Sequence, residues 1–339
     1  MHSTPPHLAE SFRPSASLDS LKALVGSAMQ EVDEVIFNSV IQDVPLINDI
    51  ARHIIAAGGK RLRPALTIAC AMLCGYEGGA RHVRLAASVE LIHTATLLHD
   101  DVVDESTLRR GDQTANALWS NQASVLVGDF LLSRAFQLMV SDGSLEVLRI
   151  LSDASATISQ GEVMQLMAAN DPSTTEECYL GVISAKTATL FEAACQLGGV
   201  IMGDARQQEA LAIFGQHLGM AFQLVDDALD YAADPGILGK SVGDDFREGK
   251  ITLPVLIAYH AGDKTEKSFW HRVLEEQDQS DGDLQQAILY MKRHRAIELT
   301  VDRAAEYCEK ARLALAIFPD SALKSALMDT LEFCIQRAY

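Results

Sequence analysis

The stretch 85–99, LAASVELIHTATLLH, constrains the fold more than any other part of the chain. Its apolar residues recur at three- and four-residue spacing and fall on most sides of a helix, not on one stripe. Such a helix has no solvated face and must be wrapped by other helices. The sequence supplies them. Runs 122–140, 146–169, 177–203, 206–232 and 252–262 repeat the spacing, and several are rich in Ala, Leu and Met. Period-two alternation, the mark of a half-buried strand, is rare. The expected class is all-α. Between 234 and 250 the helices give way to DPGILGKSVGDDFREGK, a Gly- and Asp-rich loop too long for a mere turn, and loops of that length are often functional. The polar EQDQSDGD at 276–283 sets off a C-terminal helical region. No linker and no fixed-period repeat divides the chain. Residues 18–339 are expected to form one helical domain behind a flexible tail, 1–17, which carries Pro5, Pro6 and Pro14.

Of the 339 residues 48% are hydrophobic and 22% charged, a globular balance that argues against disorder. The formal charge of −18 repels nucleic acid and anionic membrane, so neither is an expected partner. It also repels any phosphorylated substrate, which needs a local basic patch or a bound metal to enter. The 6 cysteines form no CxxC pair and lie beside no His cluster at zinc-site spacing, which suits free thiols in a reducing compartment. No unbroken apolar run reaches the length of about 18 residues that a membrane span needs. The tail lacks the apolar core of a signal peptide. Glu10, with Arg13 as the tail's single arginine, argues against a mitochondrial presequence. A cytoplasmic protein without stable membrane insertion is expected.

The motif DDxxD occurs at Asp100, Asp101 and Asp104 and again at Asp226, Asp227 and Asp230, each time after an apolar helical run. Residues i and i+4 share a helix face, so Asp100 pairs with Asp104, and Asp226 with Asp230. Two carboxylates about 4 Å apart at an effective dielectric of about 20 repel by roughly 4 kcal/mol before screening. A hard divalent cation relieves this, and magnesium suits best because it shares its remaining positions with water and phosphate. Cations lie close by. GGKRLRP at 58–64 presents Lys60 and Arg63, Arg109 and Arg110 follow the first motif, Lys186–Thr187 sits within 177–203, and Lys240 and Lys250 bracket the acidic loop. GGKRLRP lacks both the GxxxxGK[ST] spacing and a preceding strand, so it is no nucleotide-binding P-loop.

With GGKRLRP (58–64), LLHDDVVDESTLRRG (97–111), GDFLLSRAF (128–136), GEVMQL (161–166), KTATL (186–190), GMAFQLVDDALDY (219–231) and GKSVGDDFREGKITLP (239–254) in order, the chain resembles the trans (E-type) isoprenyl diphosphate synthases. The likeness covers about 50–340. It is strongest to the bacterial long-chain members that make octaprenyl to decaprenyl diphosphates for quinone side chains such as that of ubiquinone. The resemblance implies an antiparallel helical bundle around a deep central cavity, a homodimer, and a magnesium-dependent prenyltransferase that adds isopentenyl diphosphate repeatedly to an allylic diphosphate such as farnesyl diphosphate. By the same resemblance Asp100, Asp104 and Asp226 would hold three Mg²⁺ ions, supported by Asp101, Asp227, Asp230 and Asp244. Lys60, Arg63, His93 and Arg110 would bind isopentenyl diphosphate. Arg109, Lys186 and Lys240 would contact the allylic diphosphate, with Lys250 nearby. Thr187, Phe222 and Gln223 would border the allylic cation, Phe222 through its π face.

Product length should follow from the helix before Asp100. Ala95 and Thr96 are small, Ile92, Val89 and Ser88 lie deeper, and 85–99 holds no Phe, Tyr or Trp. At 1.5 Å per residue that gives a passage of roughly 20 Å without an aromatic plug. Bulky aromatics near this point close the cavity in short-chain relatives, so a long-chain product is implied. Phe136, Met139 and Leu151 are the candidates for its floor. Two other readings compete. A class I terpene cyclase shares an Asp-rich metal motif but needs neither a second DDxxD nor Lys60, Arg63 and His93. A non-catalytic subunit of a heteromeric synthase could lose these residues, yet both sets are complete.

Overall fold

The computed structural model describes residues 17–56, 58–109, 111–232 and 243–337. The expected tail, apart from Ser17, lies outside the described residues, as do Arg110 and Lys240. The class is all-α. The first helices are α1 (Asp19–Val40), α2 (Pro45–Ala56), α3 (Leu62–Leu73) and α4 (Arg81–Val103). A hairpin of two-residue strands, β1 (Leu108–Arg109) and β2 (Asp112–Gln113), pairs Arg109 with Asp112. Next come α5 (Ala115–Leu118), α6 (Asn121–Asp142), α7 (Leu145–Ala168) and α8 (Glu176–Ile183). α9 (Thr189–Met202) and the long α10 (Ala205–Ala232) follow, then α11 (Asp244–Arg247), α12 (Leu253–Ala261) and α13 (Lys264–Trp270). α14 (Asp283–Arg293), α15 (Ala296–Ala314) and α16 (Ala322–Gln336) complete the antiparallel bundle.

α4 is the central helix that its sequence demands. It buries Leu85, Ala87, Val89, Leu91, Ile92 and Leu98 on several sides, with α1, α3, α6 and α9 around it. Glu90, also buried, is neutralised by Arg61 Nη1 at 2.8 Å. α6 is long and apolar enough to cross a membrane by length and composition, yet it packs along α4 with Val127, Leu131, Ala135 and Met139 buried. α10 packs between α9 and α15. A second core gathers Phe246, Val255, Trp270, Leu274 and Met291, and Ile251 and Ile257 pack against both cores.

The single helix expected over 177–203 is interrupted. A π-helical turn, Ser184–Ala188, separates α8 from α9. Such turns insert a residue and re-aim the side chains after it, and here they carry Lys186 and Thr187. Two glycines let neighbouring helices reach this turn. A Cβ on Gly161 of α7 would stand 2.6 Å from the Lys186 backbone nitrogen, and one on Gly219 of α10 would stand 2.6 Å from Ala188 Cα. Both distances are too short for any side chain, so glycine at these positions sets how closely α7 and α10 approach the Lys186–Thr187 segment.

Candidate active site

α4, α10 and the π turn open onto one cavity of about 660 Å³. On α4, His93, Thr96 and Asp100 line it, with Asp104 at the helix cap, following the three- and four-residue spacing of one face. Asp100 is pushed up to about 7, first by burial and then by Glu162 and Asp104, against the lowering effect of Lys186. Lys186 Nζ donates to Glu162 Oε2 at 2.7 Å and lies 4.0 Å from Asp100 Oδ2. Asp104 Oδ2 accepts from Lys250 Nζ at 3.1 Å. Asp101, between them, is fully buried, and Arg109 Nε and Nη2 both reach its Oδ1 at 2.8 Å.

The second motif repeats this division. Asp226, Asp227 and Asp230 all border the cavity, but Asp227 is buried and its carboxylate is held by the protein. Tyr179 Oη donates to Asp227 Oδ2 at 2.5 Å and Gln223 Nε2 to Oδ1 at 2.7 Å. Gln223 Oε1 in turn accepts from Thr187 Oγ1 at 2.9 Å. Burial, then the charge of Asp245, lifts Asp227 to about 8. Asp226 Oδ1 accepts from Arg337 Nη2 at 2.9 Å. Asp230 Oδ2 receives the Asp245 backbone N–H at 3.2 Å, and Arg247 Nη1 donates to Asp244 Oδ1 at 2.8 Å.

At another side of the cavity Arg63 Nη1 meets His93 Nε2 at 3.1 Å and its guanidinium covers the Phe191 ring, 4.2 Å from the centroid. Lys60 Nζ lies 4.7 Å from the Phe333 ring centroid. Burial, followed by the charge of Arg337, lowers the Lys60 ammonium to about 8. Two cations in one half-buried place favour an anion between them. Phe222 also lines the cavity, tilted against Phe191 at 5.4 Å.

Among the described residues no three acidic, His or Cys side chains converge into a ready-made metal cage. The donors nevertheless fit magnesium, which binds through one or two carboxylates and takes its other oxygens from water and phosphate. Asp100, Asp104, Asp226, Asp230 and Asp244 present hard oxygens to one cavity. Among the described residues, buried Glu162 Oε1 beside Asp100 has no hydrogen-bond donor, a deficit that a cation removes.

The cavity thus gathers Lys60, Arg63, His93, Arg109, Lys186, Thr187, Phe222, Gln223 and Lys250 with the aspartates, whereas Asp101 stands behind its wall. The expected chain-length residues divide. Thr96 is on the wall. Ala95 and Ile92 are 1% exposed and Met139 0%, packed in the core among helices that include α4 and α6. Residues 92, 95 and 99 share the α4 face turned to α6, where Gly128 sits against His99, and that face is not the one bearing Asp100. Val89, Ser88 and Leu151 are likewise in the closed core, Phe136 is 36% exposed, and none of the four borders the open cavity. Sequence reasoning missed Glu162, Tyr179, Asp245, Glu248 and Arg337. Glu162 had a signal, a lone acid in the Met- and Leu-rich GEVMQL. Tyr179 and Arg337 had none, being 48 and 111 residues from their partners.

Residues 44–291 match the family model described as polyprenyl synthetase. The octaprenyl diphosphate synthase of Escherichia coli K12 is 48% identical over 322 residues, 95% of this chain and 99% of that protein. The crystal structure of a polyprenyl synthase from Caulobacter crescentus CB15, complexed with calcium and isoprenyl diphosphate, superposes with a TM-score of 0.93 at 47% identity, covering 96% of this chain and all of that one. A decaprenyl diphosphate synthase from Rhodobacter capsulatus gives a TM-score of 0.91 at 49% identity, covering 95% of this chain and all of that one. Likeness of this extent in sequence, fold and length places the chain in the polyprenyl synthetase family.

Proposed function

We propose that this prenyltransferase elongates an allylic diphosphate, farnesyl diphosphate being the natural starter, by repeated head-to-tail addition of isopentenyl diphosphate. Its product lies in the octaprenyl to decaprenyl range and serves the ubiquinone side chain. The observation that carries this reading is one cavity lined by two DDxxD helix faces and by a separate basic group, Lys60, Arg63 and His93. One diphosphate belongs to the carboxylates through magnesium, and the other to the basic group.

Asp100, Asp104 and Asp226 are the metal-binding carboxylates, with Asp230 and Asp244 as supporting acids. Asp101 and Asp227 act behind them, Asp101 by aiming Arg109 and Asp227 by fixing Gln223. Magnesium, when bound, supplies positive charge that stabilises the departing diphosphate. Lys186 and Arg109 add donors to that leaving group, a role that family likeness also gives Lys240. Lys60, Arg63, His93 and Arg110 hold isopentenyl diphosphate so that its double bond attacks the allylic carbon as the C–O bond breaks. Thr187, Gln223 and the face of Phe222 border the positive charge. The released diphosphate takes the final proton.

The protein works in the cytoplasm as a homodimer. Leu126, Val140, Leu145, Val163, Leu166 and Met167 of α6 and α7 are all at least 56% exposed, the kind of apolar surface that a partner copy covers. The test is incubation of the purified chain with farnesyl diphosphate, labelled isopentenyl diphosphate and Mg²⁺, with products resolved by length. A ladder ending in the octaprenyl to decaprenyl range and abolished by EDTA is the expected result. Cyclic hydrocarbon, or no turnover without a second protein, would overturn it.

A further inference from the structure

Arg337, one residue beyond the end of α16, occupies a position that the reaction as described does not use. Its Nη2 is bonded to Asp226 Oδ1, its guanidinium lies 5.1 Å from the centroid of Phe222, and its buried Nη1 has no acceptor among the described residues. Phe333 precedes it by four residues on the same face of α16 and carries Lys60 over its ring. About 6 Å of helical rise, little more than one turn, therefore separates Arg337 from the ring beneath Lys60. The two cations influence one another, since the charge of Arg337 is the second cause of the lowered Lys60 pKa. Asp226 is the carboxylate to which Arg337 is bonded, and it is also the one that a divalent cation would claim.

We propose that Arg337 couples the two diphosphate subsites: it is the counter-ion of Asp226 in the ligand-free chain, and when a divalent cation takes Asp226 its guanidinium turns to the diphosphate held beside Lys60. The inference rests on the two-subsite reading above. Arg337 is an exchangeable counter-ion. Until metal arrives it neutralises Asp226, and one of its donors has no partner among the described residues. Once metal arrives, it leaves a cation for an anion. A long, half-buried arginine suits this exchange because its planar fork can satisfy a carboxylate or a diphosphate in turn. Linkage makes the coupling reciprocal: metal at Asp226 strengthens isopentenyl diphosphate binding by the factor by which isopentenyl diphosphate strengthens metal binding.

Calorimetric titration of isopentenyl diphosphate tests this, with and without Mg²⁺ plus a non-ionising thio-analogue of farnesyl diphosphate. Wild type should bind about tenfold more tightly with the metal and analogue present, a typical coupling. Arg337→Gln should bind within about twofold of wild type in their absence and lose the strengthening, while Arg337→Lys retains part of it. In Arg337→Gln without any diphosphate, Mn²⁺ titrated by electron spin resonance should bind more tightly than in wild type, because Asp226 has lost its competitor. General damage to the site would move that affinity the other way. Equal strengthening in wild type and Arg337→Gln, or weaker Mn²⁺ binding in the variant, overturns the inference and leaves the two-subsite reading intact. Wild-type binding of isopentenyl diphosphate that does not depend on Lys60 overturns both.

Discussion

Lys250 Nζ stands 3.1 Å from Asp104 Oδ2 and joins the last aspartate of the first motif to the loop behind the second, 146 residues away. It also reaches Glu248 at 2.5 Å. Burial alone would lower its pKa, but Asp245, Asp104 and Glu248 outweigh burial and hold it above its usual range. Lys250→Ala leaves these acids facing one another. We expect a metal-free stability loss of roughly 1–3 kcal/mol in urea melts, below the range for a fully buried pair because solvent reaches both partners. A variant as stable as wild type would remove Lys250 from this clamp.

Asp100 gives the metal-free protein a pH dependence. A carboxyl raised from 3.8 to about 7 keeps its proton longer in the folded chain than in the unfolded one. Stability therefore falls as pH climbs between those two values. Asp100→Asn removes this loss. In EDTA the variant should be more stable than wild type at pH 8 by up to about 4 kcal/mol, and the gap should close near pH 4. With Mg²⁺ and a diphosphate analogue the order should reverse, because only wild type gains the bound metal. Thermal melts across the pH range, with and without ligand, read both signs.

Thr96 and Ala95 separate an open cavity from a packed core. Thr96→Phe places an aromatic ring on the cavity wall, so the product should shorten with little change in Tm. Ala95 is 1% exposed. Ala95→Phe overpacks the core around α4 and should cost about 1–3 kcal/mol. Product chromatography and melting of both variants check the pair. A stable Ala95→Phe with shortened product would show that the growing chain parts the core at this depth.

Gly219 holds α10 against the π turn. A methyl there would meet Ala188 Cα at 2.6 Å, so Gly219→Ala must push apart the elements that carry Gln223 and Thr187. Overpacking of this kind costs about 1–3 kcal/mol. The displaced Thr187–Gln223 contact should reduce kcat more than it raises KM. Steady-state kinetics with each substrate varied in turn distinguish the two effects.

The sequence by itself determined those features that depend on local period. A helix apolar on most sides had to be central, and α4 is. Aspartates four apart had to share a face, and Asp100 with Asp104, and Asp226 with Asp230, line the cavity. Lys60 and Arg63 were legible from the basic GGKRLRP, and Lys186 from the KTATL motif of the family resemblance. Tertiary structure decided the rest. It buried the middle aspartate of each motif, and it paired Arg337 with Asp226 and Tyr179 with Asp227 across long separations. It also decided which side of α4 meets the cavity. A helix apolar nearly all round carries no stripe to indicate that direction, so Ala95 and Thr96, adjacent and both small, could be assigned to core and wall only by the packing of α6 and the opening beside α10.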